Sequence, residues 1–202
     1  MNSLETKKTI KTFSIAVFLN DLGSDMIYPI WPLFVTTALG ANMVILGLLD
    51  GLSDAIVSLS QAFSGYLSDR LRKRKIFIWL GYLFGAFSRL GYALATAWPH
   101  LIPLRMLDRA GKIRDAPRDA IVAEVSEKKD RGAHFGWLRA MDNLGAVCGI
   151  LITFLFFQYL GFKNLFLLAA IPSILAVLLI FFFIHEKPNH DAKLYPGIKL
   201  KD

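Results

Sequence analysis

Six long apolar runs, each near the length a helix needs to cross a bilayer, constrain this 202-residue chain more than any other feature. A hydrocarbon core about 30 Å thick takes roughly 20 residues of helix. The runs are Phe13 to Leu39, Val44 to Ser64, Ile76 to Ala97, Leu101 to Val122, Phe135 to Leu160 and Leu165 to Ile184, the fourth being the most polar. Gly40-Ala41-Asn42 joins the first two, Trp98-Pro99-His100 the third and fourth, and Gly161 to Asn164 the last two. Connections this short make neighbouring helices antiparallel hairpins. The expected fold class is an all-α membrane protein with six transmembrane helices. A 54% hydrophobic content and a mean hydropathy of +0.46 are too apolar for a soluble domain.

The first run is too long for a signal-peptide core, carries Asn20, Asp21 and Asp25, and lacks a small-residue cleavage site, so it reads as a permanent helix. Orientation follows from the basic residues. Seventeen of them, including Lys7, Lys8, Lys11, the run Arg70 to Lys75, Lys128, Lys129, Arg131 and Lys187, fall on one side, and only Lys163 on the other. By the positive-inside rule both termini are cytoplasmic in a multi-pass protein of the cell membrane. The net charge of +7 is thus a topology signal, and nucleic acid is not an expected partner. The domain plan is a cytoplasmic N-terminus over residues 1–12, a transmembrane unit over 13–184 and a polar cytoplasmic tail over 185–202.

Several function classes drop out early. One cysteine, Cys148, permits no internal disulfide, and no Cys/His group has metal-site spacing. His100, His134, His185 and His190 stand beside no nucleophile or carboxylate in a hydrolytic pattern, so no catalytic residue and no cofactor is expected. There is no P-loop for ATP.

The charges inside the runs carry the functional signal, because each costs about 2.5 to 3.5 kcal/mol at a membrane helix centre. Asp21 and Asp25 share a face of the first helix, with Tyr28 one turn further on and Pro29 and Pro32 loosening the helix beyond. Asp50 and Asp54 repeat the spacing on the second, where Asp50 is near the external end and open to solvation. Arg89 lies on the third. Arg105, Asp108, Arg109 and Lys112 form one charged stripe on the fourth, and Arg139, Asp142 and Asn143 fall within one turn of the fifth. Mutual neutralisation inside a bundle is one reading of this set. A polar interior suited to an ion or solute is the sharper one, since apolar packing would hold a bundle at less cost. Gly47/Gly51, Gly81/Gly85 and Gly145/Gly149 have the spacing of close helix seams.

The loop after the second run reads Gly65-Tyr66-Leu67-Ser68-Asp69-Arg70-Leu71-Arg72-Lys73-Arg74-Lys75. It resembles the Gly-x-Leu-x-Asp-Arg-x-Gly-Arg-Lys loop of the major facilitator superfamily of secondary transporters, with Gly65, Leu67, Asp69, Arg70, Lys73 and Arg74 in matching places. Arg72 stands where that family has Gly. Physically, Gly65 would let the helix end, Asp69 could cap the next helix, and the basic residues would anchor the cytoplasmic face. The run Asp108 to Ala120 is similar to a facilitator subset reading Asp-Arg-x-Gly-Lys-Gly-x-Arg-x-x-Pro-Arg-Asp-Ala, followed by Arg-Ala-Met-Asp, here Arg139 to Asp142. The Gly after Lys112 is missing, which rotates Arg114, Arg118 and Asp119 by about 100° on an α-helix.

The resemblance implies one six-helix bundle built as a 3+3 inverted repeat, which is half of a usual facilitator. The chain would be a fragment, a half that pairs with itself or another chain, or a complete protein with another task, in that order. Asp69 would then lack its usual partner in the second half. The implied function is alternating-access movement of a small solute, with proton coupling at Asp21 and Asp25. Arg105, Arg109 and Arg139 would meet an anionic group or neutralise Asp108 and Asp142. The runner-up is a non-transporting membrane subunit or passive channel. Implied partners are the lipid bilayer, an unknown small solute and a second six-helix bundle.

Overall fold

A computed structural model describes residues 3–184, so the expected polar tail over 185–202 lies outside the described residues. Among the described residues all regular structure is helical. Helix α1 (Ser3–Ile27) begins ten residues before the first apolar run. Pro29 and Pro32 then do what was expected of them. The chain continues as a 3-10 turn (Tyr28–Ile30), one α-turn (Trp31–Leu33) and a π-turn (Phe34–Ala38). Gly40, at φ +70°, starts the reversal, and the Asn42 side chain accepts from the Ile45 amide to cap α2 (Met43–Leu71).

Helix α3 spans Arg74–Leu94. The fourth apolar run is composite: a 3-10 turn at Trp98–His100, α4 (Leu101–Ala110), a second 3-10 segment (Gly111–Arg114) and α5 (Asp115–Val125). Helix α6 (Arg131–Phe183) takes up the last two runs and is broken only at Gly161, whose φ of 66° and ψ of −176° belong to a region that glycine alone enters freely. The expected four-residue connector is therefore a one-residue hinge. The helices α2, α3 and α6 are each long and apolar enough to cross a membrane.

The two arms of α6 run in opposite directions along α1. In the first, Gly145 lies on Phe18, Gly149 on Leu22, and Thr153 donates to the Met26 carbonyl at 2.6 Å. In the second, Phe166 stacks on Phe34, Ala169 meets Gly23, and Ile180 packs near Phe13. A straight helix of this length would reach about 80 Å, well beyond a bilayer.

Two apolar clusters close the ends of the bundle. One gathers Ile10, Phe13, Val17, Ile78, Tyr82, Leu138, Val177 and Ile180. The other gathers Met26, Ile30, Trp31, Phe34, Tyr92, Leu101, Leu165 and Phe166. Between them lie Asn20, Asp21 and Asp25 on α1, Arg89 on α3 and Ser173 on α6. The charged layer is thus held at mid-height by apolar packing above and below.

Candidate functional site

The polar layer encloses a cavity of about 270 Å³ lined from four helices. Asp21, Ser24 and Asp25 project from α1, with Tyr28 at its end. Arg89 and Tyr92 come from α3, Arg105, Asp108 and Arg109 from α4, Lys112 from the 3-10 segment after it, and Asp142 and Asn143 from α6. The i, i+3, i+4, i+7 spacing on the fourth run therefore faces inward as a single stripe, as its charge required. Of the expected site residues Asp21, Asp25, Tyr28, Arg105, Asp108, Arg109 and Asp142 meet here. Arg139 does not. Its side chain is 61% exposed, 3.5 Å from Asp142 and 3.9 Å from Asp119, and it borders a separate cavity of about 30 Å³.

The acidic and basic groups are engaged to different degrees. Asp21 and Asp142 border the same two cavities, and Asn20 Nδ2 donates to Asp21 Oδ1 at 2.8 Å. Arg89 is 2% exposed and has hydroxyl and amide partners: it donates to Ser173 Oγ and, at 3.2 Å, to Asn20 Oδ1. Arg105 reaches Asp50 Oδ1 at 2.9 Å and lies 4.2 Å over the Trp31 ring, whose Nε1 also donates to Asp50. Asp50 is therefore a partner for Arg105 instead of a merely solvated end. Among the described residues Arg109 has only its neighbour Asp108, at 3.7 Å.

The rotation expected from the missing residue after Lys112 is corrected locally. A 3-10 helix turns about 120° per residue against about 100° for an α-helix, and rises about 2.0 Å against 1.5 Å. Over Gly111–Arg114 that recovers about 80° and about 2 Å, nearly what one lost residue removes. Arg114 and Arg118 consequently stay buried, each 5% exposed. Arg114 lies 4.9 Å over the Tyr82 ring and donates to the Gly111 carbonyl, while Arg118 holds Asp115 at 3.3 Å and Asp119 at 2.9 Å.

At the loop motif, Gly65 does not end α2, which runs on to Leu71; it brings α2 against Ala116 of α5. Arg72 ends the helix at φ 53°, ψ 31°, the left-handed conformation that a glycine enters at no steric cost. Asp69 caps no helix. It accepts from Arg74 at 2.8 Å, and Arg74 also pairs with Glu124 at 2.6 Å, tying the ends of α2, α3 and α5 together. Arg70 leans on the Tyr66 hydroxyl at 3.3 Å, and Lys73 is the residue just before α3.

Arg89, Tyr92 and Lys112 line the cavity in addition to the expected site residues. Arg89 and Lys112 were visible as charges in apolar runs. Tyr92 gave no signal, since a buried aromatic at helical spacing reads as core.

The helical bundle thus lines a charged cavity between two apolar clusters. The Major Facilitator Superfamily profile matches residues 13–200. An uncharacterized MFS-type transporter of Methanocaldococcus jannaschii is 40% identical over 98% of this chain and 50% of its own length. The multidrug resistance protein MdtH of Cronobacter sakazakii is 26% identical over 79% of this chain and 40% of its own length. In structure, the human organic anion transporter MFSD10 (TETRAN) superposes with a TM-score of 0.71 at 17% identity, over 92% of this chain and 49% of that one. The chain belongs to the major facilitator superfamily, a family of multi-pass membrane transporters and not of enzymes. It spans about half the length of the curated relatives it matches.

Proposed function

We propose that this chain forms one six-span half of a secondary carrier and that the cavity between α1, α3, α4 and α6 holds a small solute during alternating access. The observation that carries the reading is the placement of four acids and four bases around one internal space, at a depth where each charge is expensive unless it serves a partner or a solute. A second six-helix bundle, from this chain or another, covers the open side.

Helix directions support six crossings and a 3+3 inverted repeat. The second apolar run lies parallel to the fourth, with Asp50 on Arg105 and Gln61 on Asp115. The first lies parallel to the fifth through the Phe18, Leu22 and Met26 contacts. The third and fourth are antiparallel, Gly91 on Leu104 and Gly81 on Gly111, as are the first and sixth. The third and sixth are antiparallel through Arg89 with Ser173 and Lys75 with the Phe181 carbonyl. Odd with odd and even with even runs are parallel, as alternate crossing demands. Exchanging runs one, two and three with four, five and six maps these contacts onto one another. The basic residues favour cytoplasmic termini, so a reporter after Lys187 is expected in the cytosol and reporters at Asn42 or Lys163 outside.

Proton coupling fits the same site. Asp21 and Asp142 line the same cavity, and Asp25 stands one helical turn from Asp21 on α1. In vesicles carrying the chain, Arg109→Ala is expected to cut gradient-driven solute flux while membrane levels stay normal. Normal levels with unchanged flux would defeat the assignment, and flux indifferent to any gradient would indicate a passive pore.

A further inference from the structure

The bases lining the cavity are unequally committed, and that inequality bears on what the cavity takes. Arg105 is spent on Asp50 and Trp31, and Arg89 on Asn20 and Ser173. Arg109 and Lys112, three residues apart on one face, are not. Among the described residues the Arg109 Nε, like that of Arg105, is buried without a hydrogen-bond partner, but the Arg109 guanidinium has no acid closer than its own neighbour Asp108, at 3.7 Å. Among the described residues no carboxylate comes within 4.0 Å of Lys112. On the acidic side Asp21 accepts from Asn20, Asp142 has Arg139 at 3.5 Å and Asp108 has Arg109 at 3.7 Å, leaving Asp25 as the one cavity-lining acid without a hydrogen bond or ion pair among the described residues.

Resting on the carrier reading above, we propose that Arg109 and Lys112 grip an anionic group of the solute, a carboxylate or a phosphate. The planar fork of Arg109 fits two oxygens of such a group, and the Lys112 ammonium supplies a movable point charge. A cation withdrawn from water without a close counter-charge is costly, and an incoming anion removes that cost for two of them together. At about 270 Å³ the space suits a small molecule and not a peptide.

The test uses the whole chain in lipid nanodiscs, with thermal unfolding followed against acetate, inorganic phosphate and methylammonium at constant ionic strength. A saturable rise in melting temperature is expected with acetate or phosphate and none with methylammonium, and the anion that saturates lower separates carboxylate from phosphate. Replacing both bases, Arg109→Gln with Lys112→Gln, should weaken that saturation by about tenfold or more, while Lys112→Arg preserves it. Saturation unchanged in the double variant, an equal response to methylammonium, or no saturation with a folded wild-type chain would each overturn the proposal. Flux of a cationic solute with no anion binding removes the anion assignment and leaves the carrier reading intact. Anion binding with no flux of any solute does the reverse.

Discussion

Gly145 and Gly149 on α6 have the same spacing as Gly47 and Gly51 on α2, yet the two pairs do opposite things. A Cβ at Gly145 would collide with the Phe18 carbonyl and one at Gly149 with the Leu22 carbonyl, so the α1 and α6 backbones touch there. At Gly47 and Gly51 nothing lies within 4 Å. The seam expected at α2 is absent within the chain, and that helix leaves Val44, Leu48, Leu59 and Phe63 exposed. Gly81 behaves like the α6 pair, pressed on the Gly111 carbonyl, while Gly85 only leaves room for Arg89 and Asn20. Small residues at four-residue spacing permit a close approach; whether one happens depends on what the rest of the fold brings to that face.

The contrast can be broken most severely at the seam. Gly149→Val is expected to destabilise the chain by about 3 kcal/mol, since the obstacle is rigid helix backbone and neither helix can yield locally. Unchanged thermal unfolding in detergent would show that the two backbones are not in contact.

A smaller effect is expected where α2 is tied down. Asp50→Asn removes the counter-charge of Arg105 while keeping the shape, and should cost about 1 to 2 kcal/mol, discounted because Asp50 is half-exposed. Trp31 emission should shift with it, because Trp31 touches both partners. A stability loss without a Trp31 shift would place the damage elsewhere.

At the far end of α2 the change should be favourable. Arg72→Gly puts the residue with no Cβ penalty at φ 53° and should stabilise by up to about 1 kcal/mol, less the entropy the glycine adds to the unfolded chain. A net loss would mean that the Arg72 side chain contributes more than its backbone strain costs.

The smallest effect is expected at the open face. Gly51→Ala meets no neighbour and removes a poor helix former, for a gain of about 0.5 kcal/mol in the chain alone. A loss instead would place a packing partner on α2 in the assembled protein.

The sequence by itself determined the helical class and the family, and it located the apolar runs and the charges within them. These follow from local quantities. A bilayer-length apolar run and a charge within it carry their cost wherever the rest of the chain goes. It also marked the kink at Pro29 and Pro32, because a missing amide is a property of the residue itself. Partner choice was decided only by the tertiary structure. That Arg105 takes Asp50 while Arg109 takes no close carboxylate, that Arg139 stands outside the cavity and Glu124 joins Asp69 through Arg74, depends on distances between residues up to 55 apart in sequence. The 3-10 segment at Gly111–Arg114 belongs with these. A deletion seen in sequence predicts a rotated face on an ideal helix, but keeping Arg114 and Arg118 in polar surroundings favours overwinding one turn over turning two cations toward lipid.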